Sequence, residues 1–277
     1  MRKEFREVSV FFCTVMFLSF FVFWGPIAFF KIPTISFAVG PVGPIWAIIP
    51  FIIGGFVPSL VGIGLTAVYE GRKGVRELLR SSVQVGIGGK WFLFILTIAA
   101  YYTFSLILLN VVTGQSFDYA QFWLQLPTLL PLIILGPVSE EFGWRGFAIK
   151  RMLKLTSANT TSLVIGLIWS LWHLPLFYAV GSSQFELGMP FLPFLLSVTS
   201  SSFIYTYVYL RTNRSVFSAI FFHWVYTYAL TVVSSGITRT SLYNWLECVP
   251  AVLIGLVFAL IMGKSRSSTI EGADKVS

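Results

Sequence analysis

The sequence predicts an all-α, polytopic membrane protein, a bundle of about eight transmembrane helices. Three observations carry this. The 277 residues are 56% hydrophobic and only 11% charged, where a soluble domain averages about 25% charged, so the apolar excess cannot all enter a soluble core. The apolar residues fall into stretches long enough to cross a hydrocarbon layer as helices, which takes about 20 residues. The basic residues collect in alternate connections between those stretches, as expected of a chain that crosses a membrane repeatedly.

Eight stretches qualify: 8–30, 43–68, 91–113, 120–148, 160–180, 189–210, 215–235 and 243–263. The first follows Arg2, Lys3 and Arg6 and so resembles a signal peptide. Its run is too long for that and lacks a small-x-small cleavage site, so it reads as a span. The second is followed by Arg72, Lys73, Arg76, Arg80 and Lys90. The fourth qualifies only if Glu140, Glu141 and Arg145 lie inside it, and Lys150, Arg151 and Lys154 come after it. The sixth is followed by Arg211 and Arg214, the eighth by Lys264, Arg266 and Lys275. With eight crossings all these charges share one side, and only Lys31 and Arg239 fall on the other. The positive-inside rule then places both termini in the cytoplasm. The net charge of +8 is thus topological. A nucleic-acid partner would need a soluble basic face, and none is visible.

Between the second and third spans, EGRKGVRELLRSSV sets Val75, Leu78, Leu79 and Val83 at helical spacing, with Arg72, Lys73, Arg76 and Arg80 on the other side. This reads as a short helix lying on the membrane surface. Cys13 and Cys248 sit in apolar surroundings without metal-like spacing and read as small buried hydrophobes. No repeat or soluble domain interrupts the chain. Residues 1–264 read as one transmembrane domain, and 265–277 as a polar, disordered cytoplasmic tail.

The segment GPVSEEFGWRG, residues 136–146, holds the exception to this apolarity. An ionisable side chain in hydrocarbon is costly and marks a functional site by default. If the fourth span is helical to Lys150, Glu140 lies about 15 Å beneath the cytoplasmic surface. Glu141 and Arg145 are four apart with the acid first, the favourable order for a same-face pair. Glu140 points about 100° away and is left to face something else. Gly143 and Gly146 permit a neighbouring helix to approach closely.

The chain has only two histidines, and both sit in apolar stretches. His173 is near mid-span, with Pro175 expected to bend the helix just beyond it. His223 lies about 12 Å in from Arg214. Glu140, His173 and His223 thus reach similar depths from one side on three separate helices, as a buried polar site reached from the cytosol requires. A carboxylate can take a proton from water to make it nucleophilic, and a histidine can donate to a developing oxyanion or protonate a leaving amine. Together they suit hydrolysis of an acyl bond. One glutamate and two histidines are also a credible zinc set with an open position. The HExxH spacing of zinc peptidases and the serine or cysteine nucleophile elbow are both absent.

These residues resemble the CPBP intramembrane protease family, which includes the type II CAAX prenyl endopeptidases and is also called the Abi family. Its EExxxR motif corresponds to Glu140, Glu141 and Arg145. Its FxxxH motif corresponds to Trp169 and His173, with Trp169 in place of phenylalanine and Pro175 following. Its HxxxN or HxxxD motif corresponds to His223 and Thr227, with threonine in place of the amide or acid. The resemblance spans residues 120–235 and extends to the surface helix. It implies a bundle of eight helices with a cavity open toward the cytoplasmic side, and endoproteolysis. In the prenyl-processing branch the last three residues after a lipidated cysteine are removed. Glu140 would activate water, His173 would position it or protonate the leaving group, and His223 with Thr227 would form the oxyanion site. The expected partners are membrane lipid and a peptide or lipidated protein. The expected mechanism uses no metal, because Glu141 is committed to Arg145 and a cation beside that arginine is repelled. The metal-dependent alternative would use Glu140, His173 and His223 on zinc. Two rival functions fit a buried polar cluster: a transporter or proton relay, and a non-catalytic membrane immunity or scaffold protein.

Overall fold

Long apolar runs give long helices, and prolines or a glycine mark where several of them break. The computed structural model describes residues 2–36, 40–41, 43–125, 127, 131, 133–237 and 239–273. Eight longer helical elements make up the fold: α1 (Arg2–Phe29), α2 (Ile45–Ser82), α3 (Gly89–Val112), α4 (residues 134–155), α5 (Ala158–Trp172), α6 (Phe191–Arg211), α7 (Val216–Ser235) and α8 (Val249–Ala273). The described strands are two residues each, Ile35–Ser36 paired antiparallel with Gly40–Pro41. Six helices are long and apolar enough to cross a membrane: α1, α2, α3, α6, α7 and the stretch Ser241–Lys264 that contains most of α8. The exteriors of these helices carry exposed Phe21, Phe29, Trp46, Val68, Phe104 and Leu260. A soluble protein could not leave so many large apolar side chains in water, so the chain is an integral membrane protein.

The other two expected spans differ from straight helices for identifiable reasons. The stretch 120–148 contains Pro127, Pro131 and Pro137. Its first part is a short helix, Tyr119–Gln125, residues 126, 128–130 and 132 lie outside the described residues, and α4 begins at Ile134. Two wide π-helical turns, Ile134–Val138 and Phe142–Ile149, flank the short α-helical piece Ser139–Glu141. The fifth expected span ends early. α5 stops at Trp172, His173 caps it, and a tight 3₁₀ turn follows over Leu174–Phe177. Pro175 has no N–H to continue the helix, so the bend expected there is a full stop. At about 1.5 Å per residue, the 15 residues of α5 fall short of the ~30 Å hydrocarbon core.

α2 is continuous through its apolar part and breaks at Gly71 (φ 65°, ψ −164°), a conformation open to glycine alone at little cost. Residues 72–82 then run as the short helix expected on the membrane surface. At the other end of the chain, α8 extends to Ala273, through residues 265–273 of the expected tail. Residues 274–277 lie outside the described residues.

The core lies where α1, α2, α4, α5, α6 and α7 meet. Phe11, Trp144, Phe147, Trp172, Tyr205 and Phe222 are fully buried there. α4 lies directly on α2, α5 on α6, and α6 on α8. Just beyond the core, Arg151 is buried and ties three elements together. Its Nε donates to Glu7 Oε2 (2.6 Å) on α1 and its Nη2 to Glu70 Oε1 (2.8 Å) on α2, while Lys150 Nζ donates to Glu70 Oε2 (2.9 Å). This clamp fixes the end of α4 and hence the depth of the acids that precede it.

Candidate active site

The acids enter the core because α4 can approach α2 at backbone distance. A Cβ on Gly143 would lie 2.2 Å from the carbonyl oxygen of Pro58, and one on Gly62 would lie 2.7 Å from Gly143 Cα. Only glycine fits either place. Hydroxyls take up carbonyls along the widened turn. Ser59 Oγ donates to the carbonyl of Val138 (2.9 Å), and Ser139 Oγ to those of Leu135 (2.9 Å) and Gly136 (2.7 Å). Backbone groups in a bilayer need such internal partners, and π-turns of this kind recur at functional sites.

The two glutamates then separate. Glu141 is fully buried and its Oε1 accepts from Arg145 Nη1 (3.0 Å) and from His223 Nδ1 (2.8 Å). Arg145, also fully buried, lies between two rings, with its guanidinium carbon 4.2 Å from the Trp169 centroid and 3.9 Å from that of Tyr205. Cation–π contacts of this kind offset part of the cost of removing the cation from water. Glu140 forms no ion pair among the described residues. Its Oε2 accepts a 2.5 Å hydrogen bond from Trp169 Nε1.

Trp169 joins the rest. Its backbone carbonyl accepts from His173 Nδ1 (2.8 Å), which leaves His173 Nε2 as an acceptor in the neutral ring. Its indole stands 6.2 Å from the His173 ring and 5.5 Å from the His223 ring, centroid to centroid. Tyr205 meets the His223 ring edge-on at 5.7 Å. His173 is half-buried, and Glu140 and His223 keep 6% of their surface where Glu141 and Arg145 keep none. The accessible chemistry therefore belongs to Glu140, His173 and His223, and the Glu141–Arg145 pair is the buried support beneath them.

The structure brings together Glu140, Glu141, Arg145, Trp169, His173 and His223. Nδ1 of His223 is held by Glu141, so the ring takes an orienting contact from α4, and its Nε2 lies 3.9 Å from where a Cβ on Gly136 would be. Thr227, expected to share the oxyanion site with His223, lies one turn along the same helix. Glu141 has two roles where sequence spacing indicated one. Tyr205 was not visible in the sequence, where it is one of 11 tyrosines with nothing in its neighbours to set it apart.

Among the described residues, no three histidine, cysteine, aspartate or glutamate side chains gather as a metal-holding group. Beside the site, Arg145 Nε and Nη2 and Glu141 Oε2 are buried without a hydrogen-bond partner among the described residues.

Residues 122–229, which contain every site residue named above, match the family model described as Type II CAAX prenyl endopeptidase Rce1-like. CAAX prenyl protease 2 of Methanococcus maripaludis is 33% identical over 129 residues, which cover 43% of this chain and 48% of that protein. The chain thus spans about half the length of the curated relative it matches. The resemblance read from the three motifs is borne out over this segment.

Proposed function

We propose, from the family match over residues 122–229 and the geometry it encloses, that the protein is an intramembrane endopeptidase whose water is activated by Glu140. The observation that carries this reading is the division of labour between the adjacent acids. Glu141 is held by Arg145 and His223, while among the described residues the hydrogen bond to Glu140 comes from a neutral indole donor, which leaves its carboxylate able to exchange a proton.

Glu140 takes a proton from a water molecule, and the hydroxide adds to the scissile carbonyl carbon. His173 presents Nε2 as an acceptor that orients this water. His223, held through Nδ1 by Glu141, donates from Nε2 to the oxyanion when both ring nitrogens carry protons. The proton on Glu140 then passes to the leaving nitrogen as the C–N bond breaks. The proposed reaction uses no metal. Trp169 and Arg145 act as positioning residues.

The proposed substrate is the C-terminal region of a prenylated protein of CAAX type, reached from the membrane. The relative's name supports this class. The proposed topology puts both termini in the cytoplasm, on the side of the Arg151 clamp.

The test is incubation of the purified protein with a farnesylated peptide and its plain counterpart, with and without chelator, beside Glu140→Gln. The expected result is cleavage of the farnesylated peptide, unaffected by chelator and lost in Glu140→Gln without loss of folding. Equal cleavage by both proteins removes Glu140 from the mechanism, and loss of cleavage on chelation replaces the metal-free route.

A further inference from the structure

The surface helix beyond Gly71 has a face that the site does not use. Its buried arc, Gly74 and Leu78, packs inward: Leu78 clusters with Phe142 and Val216, and its Cδ1 stands 2.5 Å from where a Cβ on Gly146 would lie. From the same arc, Ser81 Oγ accepts from the backbone N–H of Val216 (3.0 Å), the first residue of α7. Away from this arc, Val75, Leu79 and Val83 form a stripe every four residues, with Leu79 45% and Val83 71% exposed. Arg72, Arg76 and Arg80 form a parallel exposed stripe beside it. Among the described residues none of the three arginines is paired with an acid. The one ion pair on this helix, Lys73–Glu77 (4.0 Å), lies elsewhere on its surface. The two stripes line a single open cavity of about 860 Å³.

We propose that this cavity binds an anionic phospholipid, with its phosphate against Arg72, Arg76 and Arg80 and an acyl chain along Val75, Leu79 and Val83. Charge complementarity selects the anion, since three guanidinium groups on one stripe present donors shaped for phosphate oxygens. The adjoining apolar stripe selects a lipid over a free phosphate, which would gain nothing from it. The helix leaves α2 at the end of its apolar run, just past exposed Val68, so a headgroup and its chain both lie within reach. Because the buried arc rests on Phe142, Gly146 and the start of α7, a bound lipid steadies the elements that carry Arg145 and His223.

The test uses the full chain, delipidated in detergent, with native mass spectrometry to count retained lipid. It does not depend on any cleavage activity. Phosphatidylglycerol and phosphatidylcholine of equal chain length are titrated, and inorganic phosphate is added as competitor. Saturable retention of phosphatidylglycerol over phosphatidylcholine is expected. Arginine near a lipid surface contributes enough for about a fivefold loss per residue removed, or roughly 100-fold for Arg72→Gln/Arg76→Gln/Arg80→Gln together. Arg6→Gln/Lys90→Gln/Lys264→Gln removes the same charge elsewhere and is expected to stay within about twofold. Leu79→Asn is expected to weaken phosphatidylglycerol alone. Arg72→Lys/Arg76→Lys/Arg80→Lys keeps the charge and most of the binding, which guards against a glutamine variant that fails to fold. Equal losses in both glutamine triples, equal retention of phosphatidylcholine, or full displacement by inorganic phosphate would each overturn the proposal.

Discussion

Replacing Arg145 with methionine tests the buried support of the site directly. The side chain is fully buried, bonded to Glu141 at 3.0 Å and stacked between Trp169 and Tyr205. Methionine fills much of the volume but leaves the Glu141 carboxylate with His223 as its sole strong partner. Breaking a buried ion pair by removing one member costs about 3–5 kcal/mol, and loss of the desolvated cation–π contacts adds about 1–2 kcal/mol. Glu141→Gln alone strands the guanidinium and costs about 3–5 kcal/mol by the same reasoning. The double variant leaves neither charge unpaired, so the two effects do not add, and a coupling of about 2–3 kcal/mol is expected. At about 2–4 °C per kcal/mol for chains of this order of size, Arg145→Met lowers the unfolding midpoint by roughly 10–20 °C. Circular dichroism during thermal or denaturant unfolding in detergent measures all three variants. A loss under about 1 kcal/mol for Arg145→Met, or additivity within about 0.5 kcal/mol, would refute the reasoning, because the pair would then not be a desolvated one.

Further outcomes at five positions follow from the same geometry. Trp169→Phe keeps a ring against Arg145 and His223 but removes the donor to Glu140, so it is expected to cost about 1.5–3 kcal/mol; Trp169→Leu should cost more in the same unfolding assay, since the stack goes as well. Gly143→Ala forces a Cβ to 2.2 Å from the Pro58 carbonyl oxygen and is expected to lower stability by about 3 kcal/mol. Gly64→Ala, with open space around its Cβ, should leave the midpoint unchanged or slightly raised. Arg151→Met leaves Glu7 buried without its partner and should cost about 3–5 kcal/mol, read as faster limited proteolysis of the α1 region. Glu140→Gln should fold normally and show no cleavage of a farnesylated peptide, as measured by mass spectrometry of the products.

Much of the architecture could be read from composition and order alone. Apolar run length gave the helices, because a bilayer demands about 20 apolar residues per crossing whatever those residues contact. The i, i+4 spacing of Glu141 and Arg145 gave their pairing, since that contact is fixed by a single helix. Pro175 marked a break beside His173, because a missing N–H acts locally, but read as a bend where α5 in fact ends. The form of the 120–148 stretch was not legible. Two π-turns rather than a kink resulted, and those depend on Ser59 reaching across from α2 and on Gly143 meeting Pro58.

The sequence by itself therefore determined that Glu140, Glu141, Arg145 and His223 are buried ionisable groups and which acid is neutralised within its own helix. Only the tertiary structure decided that His223 is held by Glu141, that the Trp169 indole binds Glu140, and that Tyr205 completes the seat of Arg145. The physical reason is that depth and same-helix spacing follow from a constant rise per residue. Contacts between helices depend on rotation and crossing angle, and here those were set by the meeting of Gly62, Gly143 and Pro58, a fit no single helix carries.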